Sequence, residues 1–248
     1  MKNVIKINKL ATACILAGSL TMFSCSDFLN QEPKTSLTEQ EAFSNLENIA
    51  PTVDGLYTAF RDSKSGREGL TFSLLGLDES KQGIVQMDDA AQASLDLYNG
   101  LLNSMSTQVD KMWSRRWPIV ISAANAIYAL DVLSETTQDE DTLDRIKRLK
   151  GEACFIRAMV MMELTMYWGE IPVVDIAKME NSARQPLEKV WKQIFDDFTF
   201  ASTSLKEKYT ESGDKTRATS GAAYAMLGKA YMSVPQETGM RDFKLAKE

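Results

Sequence analysis

Apolar residues recur every three or four positions at Leu149, Ala153, Ile156, Val160, Leu164 and Tyr167, a spacing that lines one face of a helix. A second row, Phe155, Met159, Met162 and Met166, makes this helix apolar nearly all round, so it has to be covered on most sides. Gly169 is placed to take a left-handed C′ position, and Pro172 bars a restart. Between Ala153 and Trp168 only Arg157 and Glu163 carry formal charge. On such a helix a charge is expected to form a buried or edge ion pair that fixes the packing, not a ligand contact.

The same spacing predicts further helices on both sides. Thr38-Glu39-Gln40-Glu41 reads as a capping box, followed by a longer helix to about Phe60 with Ile49, Val53, Leu56, Tyr57 and Phe60 on one face. Pro51 suits its first turn or a kink. Residues 61–108 hold no sustained period and are punctuated by Gly66, Gly69, Gly76, Gly83 and Gly100, which predicts surface loops with short helices. Helical spacing returns from Val109 through Met112, Trp113, Trp117, Val120, Ile121, Ala124, Ile127, Tyr128 and Leu130, where Pro118 has to kink the helix or begin a new one. Residues 134–142 form an acidic turn, and Arg145, Lys147, Arg148 and Lys150 read as the solvated start of the central helix. Pro186 opens another helix with a stripe of Val190, Ile194, Phe198, Ala201 and Leu205. Tyr224, Leu227-Gly228 and Tyr231 reproduce the aromatic-x₂-Leu-Gly-x₂-Tyr pattern of a tetratricopeptide first helix, with Arg241-Asp242-Phe243-Lys244-Leu245-Ala246 opening its partner. The fold class is therefore all-α, with tetratricopeptide-type helix pairs and long irregular loops.

Composition changes the picture most at the N-terminus. Lys2, Lys6 and Lys9 precede an uncharged apolar run, Leu10 to Phe23, the pattern of a signal peptide over residues 1–24. As a helix that run spans about 21 Å, short of a membrane core. Met22-Phe23-Ser24-Cys25 is a loose lipobox, so Cys25 is expected to become the lipidated first residue. Residues 25–37 read as its tether, with Pro33 among poor helix formers. Cys14 leaves with the signal peptide and Cys154 lies alone on the apolar helix, so no disulfide is expected. Without the three signal lysines the chain carries 25 basic against 34 acidic residues, a net of −9. That balance gives no footprint for nucleic acid and leaves membrane attachment to the lipid.

Several of these segments carry a family resemblance. Gly151-Glu152-Ala153, Phe155, Arg157-Ala158 and Tyr167-Trp168-Gly169-Glu170-Ile171-Pro172 resemble the signature helix and turn of the SusD/RagB family, surface lipoproteins that bind nutrients, mostly glycans, for an outer-membrane transporter. The start Cys25-x-Asp27-Phe28-Leu29 with Pro33, then Trp113, Ile121 and Ala124-Asn125, and then Arg184-x-Pro186 with Asp196-Asp197, match the family residue by residue; Pro118 is less usual for it, and Phe23 departs from the tight lipobox. The resemblance implies a SusD-like helical domain over residues 38–248 and several acyl chains at Cys25. It also implies an outer-membrane location facing the cell exterior, and a SusC-like TonB-dependent transporter as partner. Family members are typically longer, so this chain is expected to be an N-terminal portion.

Catalytic chemistry finds little support. The sequence has no histidine, which removes Ser-His-Asp and Cys-His catalysis and most zinc sites. No phosphate loop occurs, and Asp139-Glu140-Asp141 lacks the glycine and final Glu of a calcium loop. Ser212-Gly213-Asp214-Lys215 fits Ser-x-x-Lys but lies in a loop without a partner motif. Adjacent Asp196 and Asp197 point about 100° apart on a helix and cannot flank one bond. A binding protein without a cofactor follows, not an enzyme. For a glycan, Tyr98 is the candidate stacking platform, with Asn99, Asp78 and Arg67 as polar partners, while Trp113, Trp117, Trp168 and Trp191 are expected in the core. The other reading is a tetratricopeptide structural adaptor with no small ligand, which would have little need of the excursion at 61–108.

Overall fold

A computed structural model describes residues 45–83, 90–174, 183–210 and 216–247. The signal peptide, Cys25, its tether, the capping box at Thr38 and the Ser-x-x-Lys segment lie outside the described residues. The first described helix, α1 (Leu46–Lys64), is capped by Asn45, whose side chain accepts the Asn48 N–H at 2.9 Å. Its buried side is Leu46, Ile49, Val53 and Leu56, with Tyr57 and Phe60 packed on the same core. Pro51 lies inside the helix, and both it and Glu47, the residue whose carbonyl it leaves unbonded, face solvent. Among the described residues of 61–108 lie two short helices, α2 (Gly66–Leu74) and α3 (Ala90–Leu97), as the broken periodicity predicts.

The core is built on two long helices, α4 (Thr107–Thr136) and α5 (Glu140–Trp168), joined by three residues and packed along each other. Pro118 neither starts a new helix nor ends one: α4 continues through it. The proline and Ser114, one turn earlier, are both exposed, so the carbonyl it leaves unbonded can be met by water. Asp139 caps α5 by accepting the Thr142 N–H at 2.9 Å, which makes the acidic turn a helix start. Helix α6 (Leu187–Ser204) covers another side of α5 with Val190, Ile194, Phe198 and Ala201, all fully buried, and Phe198 meets Phe155 edge-on at 5.9 Å. Helix α7 (Ser220–Ser233) packs on α6.

Two expectations need correction. The segment Arg241–Ala246 does not form a second α-helix: Asp242 accepts the N–H groups of Lys244 and Leu245, and one turn follows. Gly228 still serves close approach, since a Cβ there would stand 2.9 Å from the Ala246 carbonyl oxygen. At the end of α5, Gly169 adopts φ 70° but ψ −116°, a glycine conformation outside the left-handed helical region. Met166 and Tyr167 are 59% and 57% exposed, so the apolar wrapping of α5 stops one turn before its end.

The charges on α5 behave as helix packing requires. Arg157 donates Nε and Nη2 to the two carboxylate oxygens of Asp197 on α6, each at 2.7 Å, and Gln193 adds a bond to Asp197 at 2.9 Å. Burial is the largest single effect and opposes the Arg157 cation, but the Asp197 charge, the hydrogen bonds to it and the other nearby groups together raise its pKa. Asp196, by contrast, is exposed and pairs with Lys192. Cys154 is buried, which pushes its thiol well up and leaves it inert. Glu152 is fully buried and accepts from Arg217 at 2.7 Å; Arg217 also holds Asp54 of α1 at 2.7 Å, and the Tyr57 hydroxyl accepts the Ala218 N–H at 3.0 Å. The lead-in to α7 is thus tied to both α1 and α5.

Desolvation outweighs the Arg217 attraction and raises the Glu152 pKa above 4.5. The folded state then holds the Glu152 proton more tightly than the unfolded chain does. Its contribution is full below the unfolded value and is lost as pH rises through the folded one. In urea titrations from pH 4 to pH 8, Glu152→Gln should gain stability relative to wild type as pH rises above about 4.5; a difference that stays flat or falls would contradict this.

Candidate functional site

Where α5 loses its cover, a cleft of about 330 Å³ opens. Its walls are Phe72 and Leu75 at the end of α2, Leu95 and Tyr98 at the end of α3, Leu102 in the turn before α4, Val109 and Met112 on α4, and Tyr167 with Trp168 closing α5. The volume lies at the small end of the range for ligand sites. Every lining side chain is apolar or aromatic. Behind Trp168 the rings continue into the core: Trp113 meets it edge-on at 5.3 Å and stacks on Trp117 at 5.0 Å. Tyr167 packs against Trp168 at 5.9 Å, and burial, followed by the nearby Glu163 charge, raises its phenol pKa.

Tyr98 is held in an unusual way. Its N–H closes α3 onto the Ser94 carbonyl at 2.9 Å, and it then turns to φ 48°, the one non-glycine residue with positive φ among the described residues. That conformation costs a side-chain-bearing residue about 1 kcal/mol or more. Its hydroxyl donates to the Gly76 carbonyl at 2.8 Å, across 22 residues, while the residue stays 69% exposed. The bond pins the ring against the turn after α2 and leaves much of its surface open.

The other candidates from sequence are not gathered with it. Asn99 is exposed and its Oδ1 accepts the Leu101 N–H at 3.0 Å, a turn contact. Asp78 is exposed on the turn that follows Gly76, and neither it nor Asn99 lines the cleft. Arg67 lies in α2, with its side chain outside the described part. Trp168, expected in the core, is half-buried in the cleft wall; Trp191 is buried, and Trp113 and Trp117 are half-buried on the core. The sequence did carry a signal for Tyr167 and Trp168, since they open the exit turn of the signature helix. Nothing marked Phe72, Leu95 or Leu102, which belong to short elements without a period.

A second hollow, about 390 Å³, lies at the start of α5 between Asp141, Asp144, Arg145, Lys147 and Arg148 and the end of α6 at Ser204 to Lys206. It mixes both signs of charge, Arg145 is held by Glu47 at 2.6 Å, and it offers no ring. Among the described residues no cluster of metal-ligating side chains occurs.

A family profile described as "Starch-binding associating with outer membrane" matches residues 27–232. The chain is 22% identical over 222 residues to SusD-like protein P25 of Formosa agariphila, covering 85% of this chain and 40% of that one. It is 27% identical over 235 residues to a SusD-like protein of Bacteroides ovatus, covering 88% and 38%. The chain therefore spans about two-fifths of the length of these relatives. Among solved structures, a laminarin-binding SusD-like protein superposes with TM-score 0.62 at 20% identity over 76% of this chain and 40% of that one. A SusD superfamily protein from Bacteroides vulgatus gives TM-score 0.64 at 16% identity over 81% and 42%.

The Tyr98 hydroxyl bond predicts that Tyr98→Phe costs about 1 kcal/mol in urea unfolding and speeds amide exchange over residues 75–80. Unchanged exchange there would show that the bond does not hold the turn.

Proposed function

Because the chain belongs to the SusD-like family, whose description is starch-binding and associated with the outer membrane, we propose that it is the helical scaffold and ligand cleft of a cell-surface glycan-binding lipoprotein. The mature protein begins at Cys25, is anchored there by lipid, reaches the surface through the tether 25–37, and hands oligosaccharide to a SusC-like TonB-dependent transporter. It binds and does not catalyse.

The observation that supports this reading is the cleft in which Tyr98, Tyr167 and Trp168 come together with their rings accessible. Sugar rings present apolar faces of C–H groups, and flat aromatic surfaces accept them with little entropic cost. Hydroxyl recognition would fall to the tyrosine hydroxyls, the Trp168 indole N–H and polar side chains at the rim, where Asn99 and Asp78 remain candidates. Neutral glycans suit a lining without charge. The names of the similar structures, one laminarin-binding and one a surface glycan-binding protein A of Bacteroides fluxus, support the same ligand class.

Affinity electrophoresis of the protein with Cys25 replaced by Ser, through gels containing soluble starch, laminarin or xyloglucan, tests this. Retardation by at least one polysaccharide is expected, with binding about tenfold weaker for Tyr98→Ala, equivalent to ~1.4 kcal/mol. Retardation unaffected by Tyr98→Ala and Tyr167→Ala would remove the cleft as the site. No retardation by any panel member would instead favour a structural adaptor.

A further inference from the structure

Three walls of the cleft are joined behind it through one carboxylate. Glu163 stands on α5 one turn before Tyr167, and its Oε1 forms an ion pair with Arg116 Nη2 at 3.1 Å while its Oε2 accepts from Lys64 Nζ. Arg116 stands on α4 one turn after Met112, and its Nη1 reaches the Met112 carbonyl at 3.5 Å. Lys64 is the last residue of α1, and α2, which carries Phe72, is seated directly on it. A Cβ at Gly69 would stand 2.5 Å from the Lys64 carbonyl carbon, so α2 packs tightly on the end of α1.

The bonds differ in exposure. The Arg116 side chain is 2% exposed and that of Glu163 18%, whereas Lys64 is 38% exposed. The inner pair is therefore costly to break, because a lone guanidinium would be left in the core. Burial lowers the Lys64 pKa against the pull of Glu163, with Arg116 and Lys229 adding repulsion.

We propose that Glu163 is a positioning residue for the cleft. By holding one cation from the α4 wall and one from the α1–α2 junction, it fixes the distance of Phe72 and Met112 from Tyr167. Its part in binding rests on the reading of the cleft as the glycan site; its part in shaping the cleft does not.

Spin labels on cysteines introduced at Leu74 on α2 and Met166 on α5, both exposed, report the width of the cleft by pulsed electron resonance. The full chain carries Cys14→Ser and Cys25→Ser, and Cys154 is buried. A narrow distance distribution is expected in the parent. Glu163→Gln should broaden it toward longer separations, and retardation by laminarin or soluble starch should weaken roughly tenfold. Lys64→Gln should act in the same direction and Lys64→Arg should restore the parent behaviour; the Lys64 pair also serves if Glu163→Gln fails to fold. Asp131→Asn, which removes the remote Lys150 pair, should change neither readout. Distances unchanged in Glu163→Gln and Lys64→Gln would overturn the proposal, as would binding unchanged across a widened cleft. If neither polysaccharide retards the parent, the glycan reading fails, and the distances alone decide the positioning role.

Discussion

Charge buried on α5 has to be matched, and each match comes from a different neighbour. Glu152 takes Arg217 from the lead-in to α7, Arg157 takes Asp197 from α6, and Glu163 takes Arg116 from α4 with Lys64 from the end of α1. Removing one partner of such a pair strands an ion in a low-dielectric interior at a cost of about 3–5 kcal/mol, whereas an apolar pair of the same volume can be as stable. The pairs therefore do less to hold the bundle together than to say how it is assembled. Apolar faces such as that of α6 tolerate small rotations and slips; a bidentate guanidinium–carboxylate bond does not.

The cleft follows from where this enclosure ends. From Ile146 to Thr165 the helix packs its buried residues against α4, α6 and α1. Beyond that point Met166 and Tyr167 emerge into solvent while Trp168 packs edge-on against Trp113. The irregular chain between α1 and α4 fills part of the gap. It does so with α2 and α3, whose ends are fixed to each other by Tyr98 and Gly76. A strained tyrosine held by a single long-range hydrogen bond is a costly arrangement for a packing residue, and strain of this kind concentrates at functional sites.

Periodicity in the sequence identified α1, α4, α5 and α6, the stripe from Val190 to Leu205, and the structural role of Arg157, Glu163 and Asp197. These are consequences of local spacing and of the cost of burying charge, both visible in one dimension. What stayed hidden depends on where a neighbour stops. Met166 and Tyr167 continue the apolar rows of α5 without any change of pattern, yet both are more than half exposed; Trp168 reads as core by the same logic. Arg116 carried no signal at all, because an arginine beside two tryptophans at a helix start looks like a solvated one. The partner of α7 failed for a different reason: Asp242 is a good cap, but only a turn follows it. Of the four candidate ligand residues, Tyr98 stands in the cleft wall, while Asn99 serves its own turn.

A double-mutant cycle on Arg157 and Asp197 by urea unfolding tests most directly whether matched charge, more than apolar area, specifies the packing around α5. The account predicts that Arg157→Met and Asp197→Leu each cost about 3 kcal/mol or more, and that the double variant recovers most of that loss, a strongly non-additive result. Losses that simply add would mean the two residues act independently and that the apolar stripe of α6 alone sets the arrangement.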